Sequence, residues 1–287
     1  MRGQKTKTFR VDFFVVTSDQ EREHDLMREL LSDGRKYTDA LELNPGDDEK
    51  YQVRSIVSLS KGKSFKGVFG RCRFGEKPIQ GTEDGREEDV ELKPGHGLVE
   101  KNHFLFFAER NLLVYQRNSS GSPYSRFQRY AGRAVEGNIA FEPILTKDSY
   151  QRLLDSSANA RRVELSFQPP KDPSLYQDLW MQEAINLVNE VGGVSARITI
   201  SVGRTNRTLV SRIKDAAVML ARGGLAKVAR VQIEDEQEPI DLIADRVIGS
   251  ITVPLQQNGR PNSEDIYAAL EEAQHSRSKD IKHFFGK

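Results

Sequence analysis

Between Val194 and Gly224 the hydrophobic period of the chain changes once, from two to 3.6, and that change limits what the surrounding sequence can build. In V-S-A-R-I-T-I-S-V, Ala196, Ile198, Ile200 and Val202 alternate with Ser195, Arg197, Thr199 and Ser201. This alternation predicts a strand with one buried face. Gly203 breaks the strand, and Thr205, Asn206 or Thr208 can cap a helix. Leu209, Val210, Ile213, Ala216, Ala217 and Leu220 then form a single apolar stripe at helical spacing. Gly223-Gly224 closes the helix, because glycine accepts the left-handed backbone of a C-terminal cap.

The other side of this predicted helix is basic. Arg207, Lys214 and Arg222 fall roughly opposite the stripe, Arg212 lies on its flank, Arg204 precedes it, and Asp215 is the local counter-charge. A basic turn followed by a basic helix face suits a polyanion. The formal net charge is only +1, so polyanion binding has to come from local patches and not from global attraction. Lys5, Lys7 and Arg10 form one such patch. Lys61, Lys63 and Lys66 form another, on a hairpin that also carries Arg71 and Arg73. Acids are grouped elsewhere, at Asp47–Glu49, Glu83–Glu91 and Glu234–Glu238.

Catalytic signatures are sparse. Cys72 is the only cysteine, which excludes an intrachain disulfide and a structural zinc site. His24, His96, His103, His275 and His283 are scattered. Neither a Gly-x-Ser-x-Gly turn nor a phosphate-binding glycine loop is present. The expectation is a non-enzymatic protein without metal, cofactor or small-molecule substrate. The alternative is a metal-dependent nuclease, in which Asp84 or Asp89 with Glu91-Leu92-Lys93 would hold magnesium. A third reading is an interaction scaffold, with Phe284 and Phe285 as docking side chains. No apolar run reaches the roughly 18 residues of a membrane span. The N-terminus lacks the apolar core of a signal peptide, so the expected location is cytoplasmic.

Along the chain, strands are expected at Thr8–Thr17, Tyr51–Ser60, Phe65–Phe74, His103–Glu109, Leu112–Arg117, Ile139–Leu145, Arg161–Gln168, Ala226–Glu234 and Ile240–Val253. Helices are expected around Leu26–Leu31, Tyr124–Val135, Asp148–Leu154 and Ser174–Val191, with a final one from Ser263. On the second of these, Arg126, Arg129 and Arg133 share a face. Lys77–Gly97 is an acidic excursion, and Pro169-Pro170-Lys171-Asp172-Pro173 is a stiff linker. The order from Arg161 to Val253 is that of a compact α+β unit with two helices on one sheet face.

The succession F-R-V-D-F-F-V-V, L-M-R-E-L-L, F-L-F-F-A-E (Phe104–Glu109), F-E-P-I-L (Phe141–Leu145), R-R-V-E-L (Arg161–Leu165) and I-T-I-S-V (Ile198–Val202) with its basic sequel resembles the Rex-type phage exclusion proteins. The resemblance covers most of Phe9–Arg222. It implies a two-lobed α+β protein: a strand-rich core lobe of residues 1–150 with 245–287, and a smaller mobile lobe of residues 151–244. It also implies a homodimer that binds double-stranded DNA with little sequence preference, associates with the bacterial nucleoid and works with a membrane partner in abortive infection. Arg204, Arg207, Arg212 and Lys214 are the DNA contacts carried over. Fewer lysines in this segment and a near-neutral total charge set this chain apart.

Overall fold

The computed structural model describes residues 4–18, 26–32, 40–43, 48–75, 78–146, 149, 152, 159–167, 179–203, 209, 217, 226–234 and 239–285. The chain divides into two compact units. One comprises residues 1–141 with 248–276, and the other comprises 142–247 with 277–287. The fold class is α+β.

The first unit is built on the strands β1 (Thr6–Ser18), β2 (Glu49–Leu59), β3 (Ser64–Arg73), β6 (Leu98–Phe107), β7 (Leu112–Arg117), β8 (Ile139–Pro143) and β13 (Ile248–Pro254). They form a seven-stranded sheet in the order β13-β1-β7-β6-β3-β2, with β8 also beside β1. The acidic excursion forms a separate exposed ribbon of β4 (Ile79–Gly81) and β5 (Glu87–Asp89). Central β1 buries Val11 and Phe13 on one face and Phe14 and Val16 on the other. A strand covered on both faces has to read as a nearly continuous apolar run, and F-F-V-V does.

One face of this sheet lies under α1 (Leu26–Ser32) and α2 (Tyr124–Ala134). From α2, Tyr124, Phe127, Tyr130 and Ala131 are buried among the sheet aromatics. Of its arginines, Arg126 lies 5.2 Å from the centre of the Tyr51 ring and 3.9 Å from Glu49, and Arg133 donates to the Glu42 carbonyl at 2.9 Å. The predicted basic face of α2 is therefore largely engaged within its own unit.

On the opposite face, α4 (Ser263–Ser276) packs against β13, β6 and β7 through Ile266, Tyr267, Leu270 and Ala273. Asn262 caps α4. Its carbonyl accepts the Ile266 N–H at 3.2 Å and its side chain accepts the Glu264 N–H at 3.3 Å. Ser263 is thereby left to bond elsewhere, and its Oγ lies 3.0 Å from His103 Nε2. Gln116 Oε1 accepts both the backbone N–H and the Nδ1–H of His103, each at 2.9 Å. This fixes the tautomer: Nδ1 carries the proton and Nε2 accepts from Ser263. Tyr267 meets the imidazole edge-on at 5.3 Å.

Burial holds the His103 imidazole below its ordinary value of 6.5. The Gln116 bond opposes this shift and the Lys101 charge adds to it. The folded state thus favours neutral His103. Its contribution to stability is complete above the ordinary value and is lost as pH falls through that value towards the lower folded one. Melting temperatures measured from pH 7.5 down to 5.5 should fall, and the fall should be shallower in His103→Gln. Equal slopes would contradict this account.

The second unit is built on β9 (Ala160–Phe167), β10 (Ala196–Ser201), β11 (Ala226–Ile233) and β12 (Ile240–Asp241). These strands form an antiparallel sheet in the order β10-β9-β11-β12. Helix α3 (Leu179–Glu190) contributes buried Ile185 to the core formed by Val163, Leu165, Phe167, Ala229, Val231 and Ile233. Short α5 (Ser278–Phe284) also belongs to this unit. Of the helix expected after Gly203, only Leu209 and Ala217 are described; Ala217 is helical and buried in the same core. Of the expected Asp148–Leu154 helix, only Ser149 and Arg152 are described, both helical. The proline linker lies outside the described residues.

One expectation needs correction. Ile240–Val253 is not one strand, because Leu242–Asp245 turns and separates β12 from β13. Asp241 Oδ1 accepts the Ile243 and Ala244 N–H groups at 3.0 and 2.9 Å, and Asp245 Oδ2 accepts the Asp241 N–H at 3.0 Å. Aspartates that bond to nearby backbone in this way impose a turn on an otherwise apolar run. The two strands belong to different units.

Candidate nucleic-acid interface

Strand register determines what the smaller sheet presents on the face away from its core. In β9, Val163, Leu165 and Phe167 are buried, so Arg162, Glu164 and Ser166 point the other way. In β10 the more exposed set is Arg197, Thr199 and Ser201. The pairings arrange these residues in three rows: Arg197–Ser166–Val228, Thr199–Glu164–Arg230–Asp241, and Ser201–Arg162–Gln232.

The middle row is internally neutralised. Arg230 donates to Asp241 at 2.9 Å and lies 4.0 Å from Glu164. The Asp241 hydrogen bond raises the Arg230 guanidinium above its ordinary value. Burial pushes the Asp241 carboxyl up, but the turn N–H groups and Arg230 outweigh it and hold that carboxyl low. Each outer row carries one arginine, Arg197 or Arg162. Both are exposed, and neither has an acidic partner among the described residues. Hydroxyls of Thr199, Ser201 and Ser166 lie between them.

The third row ends where the basic segment begins. Ser201 pairs with Arg162, and the Val202 N–H donates to the Arg161 carbonyl at 3.0 Å. Gly203 follows with φ of 63°, the left-handed backbone that glycine accepts without strain. Arg161 donates to the Gly203 carbonyl at 3.1 Å and to Glu234 at 3.5 Å. The chain is tied down again at Leu209, whose N–H donates to the Ala160 carbonyl at 2.8 Å. Arg204, Arg207, Arg212, Lys214 and Arg222 lie outside the described residues.

The hairpin lysines do not converge. Lys61 is exposed at the β2–β3 tip, where Ser60, Lys61 and Gly62 have φ of 49°, 57° and 81°. Lys63 pairs with Glu109 at 2.8 Å, and Lys66 pairs with Glu264 at 2.7 Å with its ammonium 5.0 Å from the Tyr267 ring centre. Lys66 thus fastens α4 to the sheet, and Lys61 has no acidic partner among the described residues.

Sequence reasoning does not single out Arg162 and Arg197 as candidates, although the alternation of R-R-V-E-L-S-F and A-R-I-T-I-S carries the signal. Of the acids in the nuclease alternative, Asp84 is exposed and pairs with Arg86 at 2.9 Å, and Asp89 and Glu91 lie on or beside the exposed ribbon. Of the acidic group Glu234–Glu238, residues 235–238 lie outside the described residues, and nearby Asp241 is committed to Arg230 and the turn. No group of three or more His, Cys, Asp or Glu side chains among the described residues is placed to hold a metal ion. Phe284 and Phe285 are half-buried and meet edge-on at 5.8 Å. No described helix is long and apolar enough to cross a membrane.

Compared with known families, residues 4–282 match a family described as one of unknown function, DUF6731. No curated protein matches.

Proposed function

Taking as premise that the chain belongs to the DUF6731 family of unknown function, we propose that it binds duplex nucleic acid through phosphate contacts, without reading sequence. The observation that carries this reading is the tether around the basic segment. Gly203 and Leu209 are both bonded to the start of β9, next to Arg162. Arg204 adjoins Gly203 and Arg207 is two residues from Leu209.

Arg162, with Arg197 on the same face of the sheet, and the basic residues that follow Gly203 in sequence, Arg204, Arg207, Arg212 and Lys214, are the groups that would meet the phosphates. Guanidinium groups bind phosphate oxygens through paired N–H donors, and neighbouring hydroxyls add further contacts. Contacts of this kind position a duplex but carry no sequence information. Such binding fits the exclusion role that the resemblance implies.

Fluorescence anisotropy with two duplexes of unrelated sequence, titrated at several salt concentrations, tests the proposal. Both duplexes should bind equally, and affinity should fall steeply with salt. Neutralising Arg204, Arg207, Arg212 and Lys214 together should weaken binding and flatten the logarithmic salt slope by about 0.9 per lost contact. Arg162→Ala with Arg197→Ala should act in the same direction. Absence of binding at low salt, or an unchanged affinity in the fourfold variant, would sink the proposal.

A further inference from the structure

Strand β10 is bonded to β9 along one side only, and among the described residues nothing pairs with its outer edge. The other sheet ends are blunted. Edge strand β2 is broken by a bulge between Arg54 and Val57, with Ser55 at φ of 51°. Strand β13 ends in Pro254, and β12 has only two residues. Bulges, prolines and very short strands are the usual devices that stop one sheet from adding to another. In contrast, β10 reads A-R-I-T-I-S, six residues without proline, glycine or bulge and with a single charge.

The sequence that leads into this strand also exposes large apolar residues. Leu187 and Val191 lie one helical turn apart at the end of α3 and are 62% and 72% exposed, and Val194, just before the strand, is 81% exposed. These are half of the six large apolar residues that are exposed among the described residues. Exposed apolar residues that lead into an open strand suit a contact surface.

We propose that the β10 edge pairs with the same edge of a second copy of this chain, antiparallel about a two-fold axis at Thr199. In that register Thr199 faces itself, Ile198 faces Ile200 and Arg197 faces Ser201. The two-fold symmetry keeps each residue on its own face, so the partly buried isoleucines stay on the core side. No like charges stand opposite one another, as a self-complementary interface requires. The product is a continuous eight-stranded sheet whose open face carries Arg162 and Arg197 from both copies. The pairing does not depend on the nucleic-acid reading.

The full-length protein, free of nucleic acid, should sediment as a dimer at micromolar concentration. Thr199→Lys places two ammonium groups opposite each other on an exposed position. It should raise the dimer dissociation constant at least tenfold, about 1.4 kcal/mol, and leave the melting curve of the monomer folded and cooperative. Thr199→Cys should form an intermolecular disulfide under mild oxidation, because directly opposed Cβ atoms approach to roughly 4.5–5.5 Å and the native Cys72 is buried. A monomeric wild type would overturn the proposal. So would a dimer that is insensitive to Thr199→Lys and that yields no cross-link in the Thr199→Cys variant.

Discussion

Phe127→Ala is expected to cost the first unit about 3–5 kcal/mol, the range for removing a fully buried aromatic ring. The side chain is 0% exposed and is the point where the helix layer meets the sheet. Its ring lies 4.6 Å from Phe69, 5.0 Å from Phe104, 5.9 Å from Tyr115 and 5.3 Å from Phe141. These four rings come from β3, β6, β7 and β8, so one truncation opens a void against four strands. Close-packed aromatic neighbours cannot collapse far enough to fill it. Chemical denaturation of the variant should show the loss directly, and Phe127→Leu, which keeps more of the volume, should fall between it and wild type. A loss below about 1.5 kcal/mol would show that the cluster relaxes more freely than its geometry implies.

Asn102→Leu should be nearly as damaging for a different reason. Asn102 is fully buried, and its amide bridges two backbone groups: Nδ2 donates to the Gln116 carbonyl at 3.0 Å, and Oδ1 accepts the Ser122 N–H at 2.7 Å. Leucine has similar bulk but leaves both groups without partners inside the fold. At roughly 1–3 kcal/mol for each orphaned group, the total is about 2–6 kcal/mol. Gly121 shows how tight the site is, since a Cβ there would collide with Oδ1. The midpoint of urea unfolding, compared with wild type and with a surface control such as Gln80→Leu, measures the effect. A shift no larger than the control's would mean that water replaces the amide.

Much of this architecture was legible because strands covered on one face alternate and strands covered on both faces do not. The runs around Phe13, Phe106 and Val163 could be placed for that reason. The misreading at Ile240–Val253 has an equally local cause. The residues I-D-L-I-A-D-R-V-I form an apolar run by composition, and the turn depends on where two aspartate side chains direct their bonds. At the candidate site, the alternation that exposes Arg162 and Arg197 could be read from the chain. The fate of the hairpin lysines could not be. Lys63 and Lys66 look equally available in sequence, and their acidic partners, Glu109 and Glu264, are distant along the chain.

The second unit interrupts the first in sequence, and this bears on how the protein is made. Strand β13 joins the sheet beside β1, with Phe9 opposite Ile251 and Thr6 opposite Pro254. On the ribosome, the growing chain must leave that flank of β1 open until the whole of residues 142–247 has emerged. Closing so long a loop costs chain entropy, which a folded insert reduces. Val247 N–H donates to the Ile144 carbonyl at 2.7 Å, and Thr146 N–H to the Asp245 carbonyl at 2.8 Å. These bonds clip together the segments by which the chain enters and leaves the insert. Once they form, β13 follows β8 almost as if the intervening residues were a short hairpin. Synthesis therefore favours an order in which residues 142–247 fold before β13 completes the earlier-made sheet.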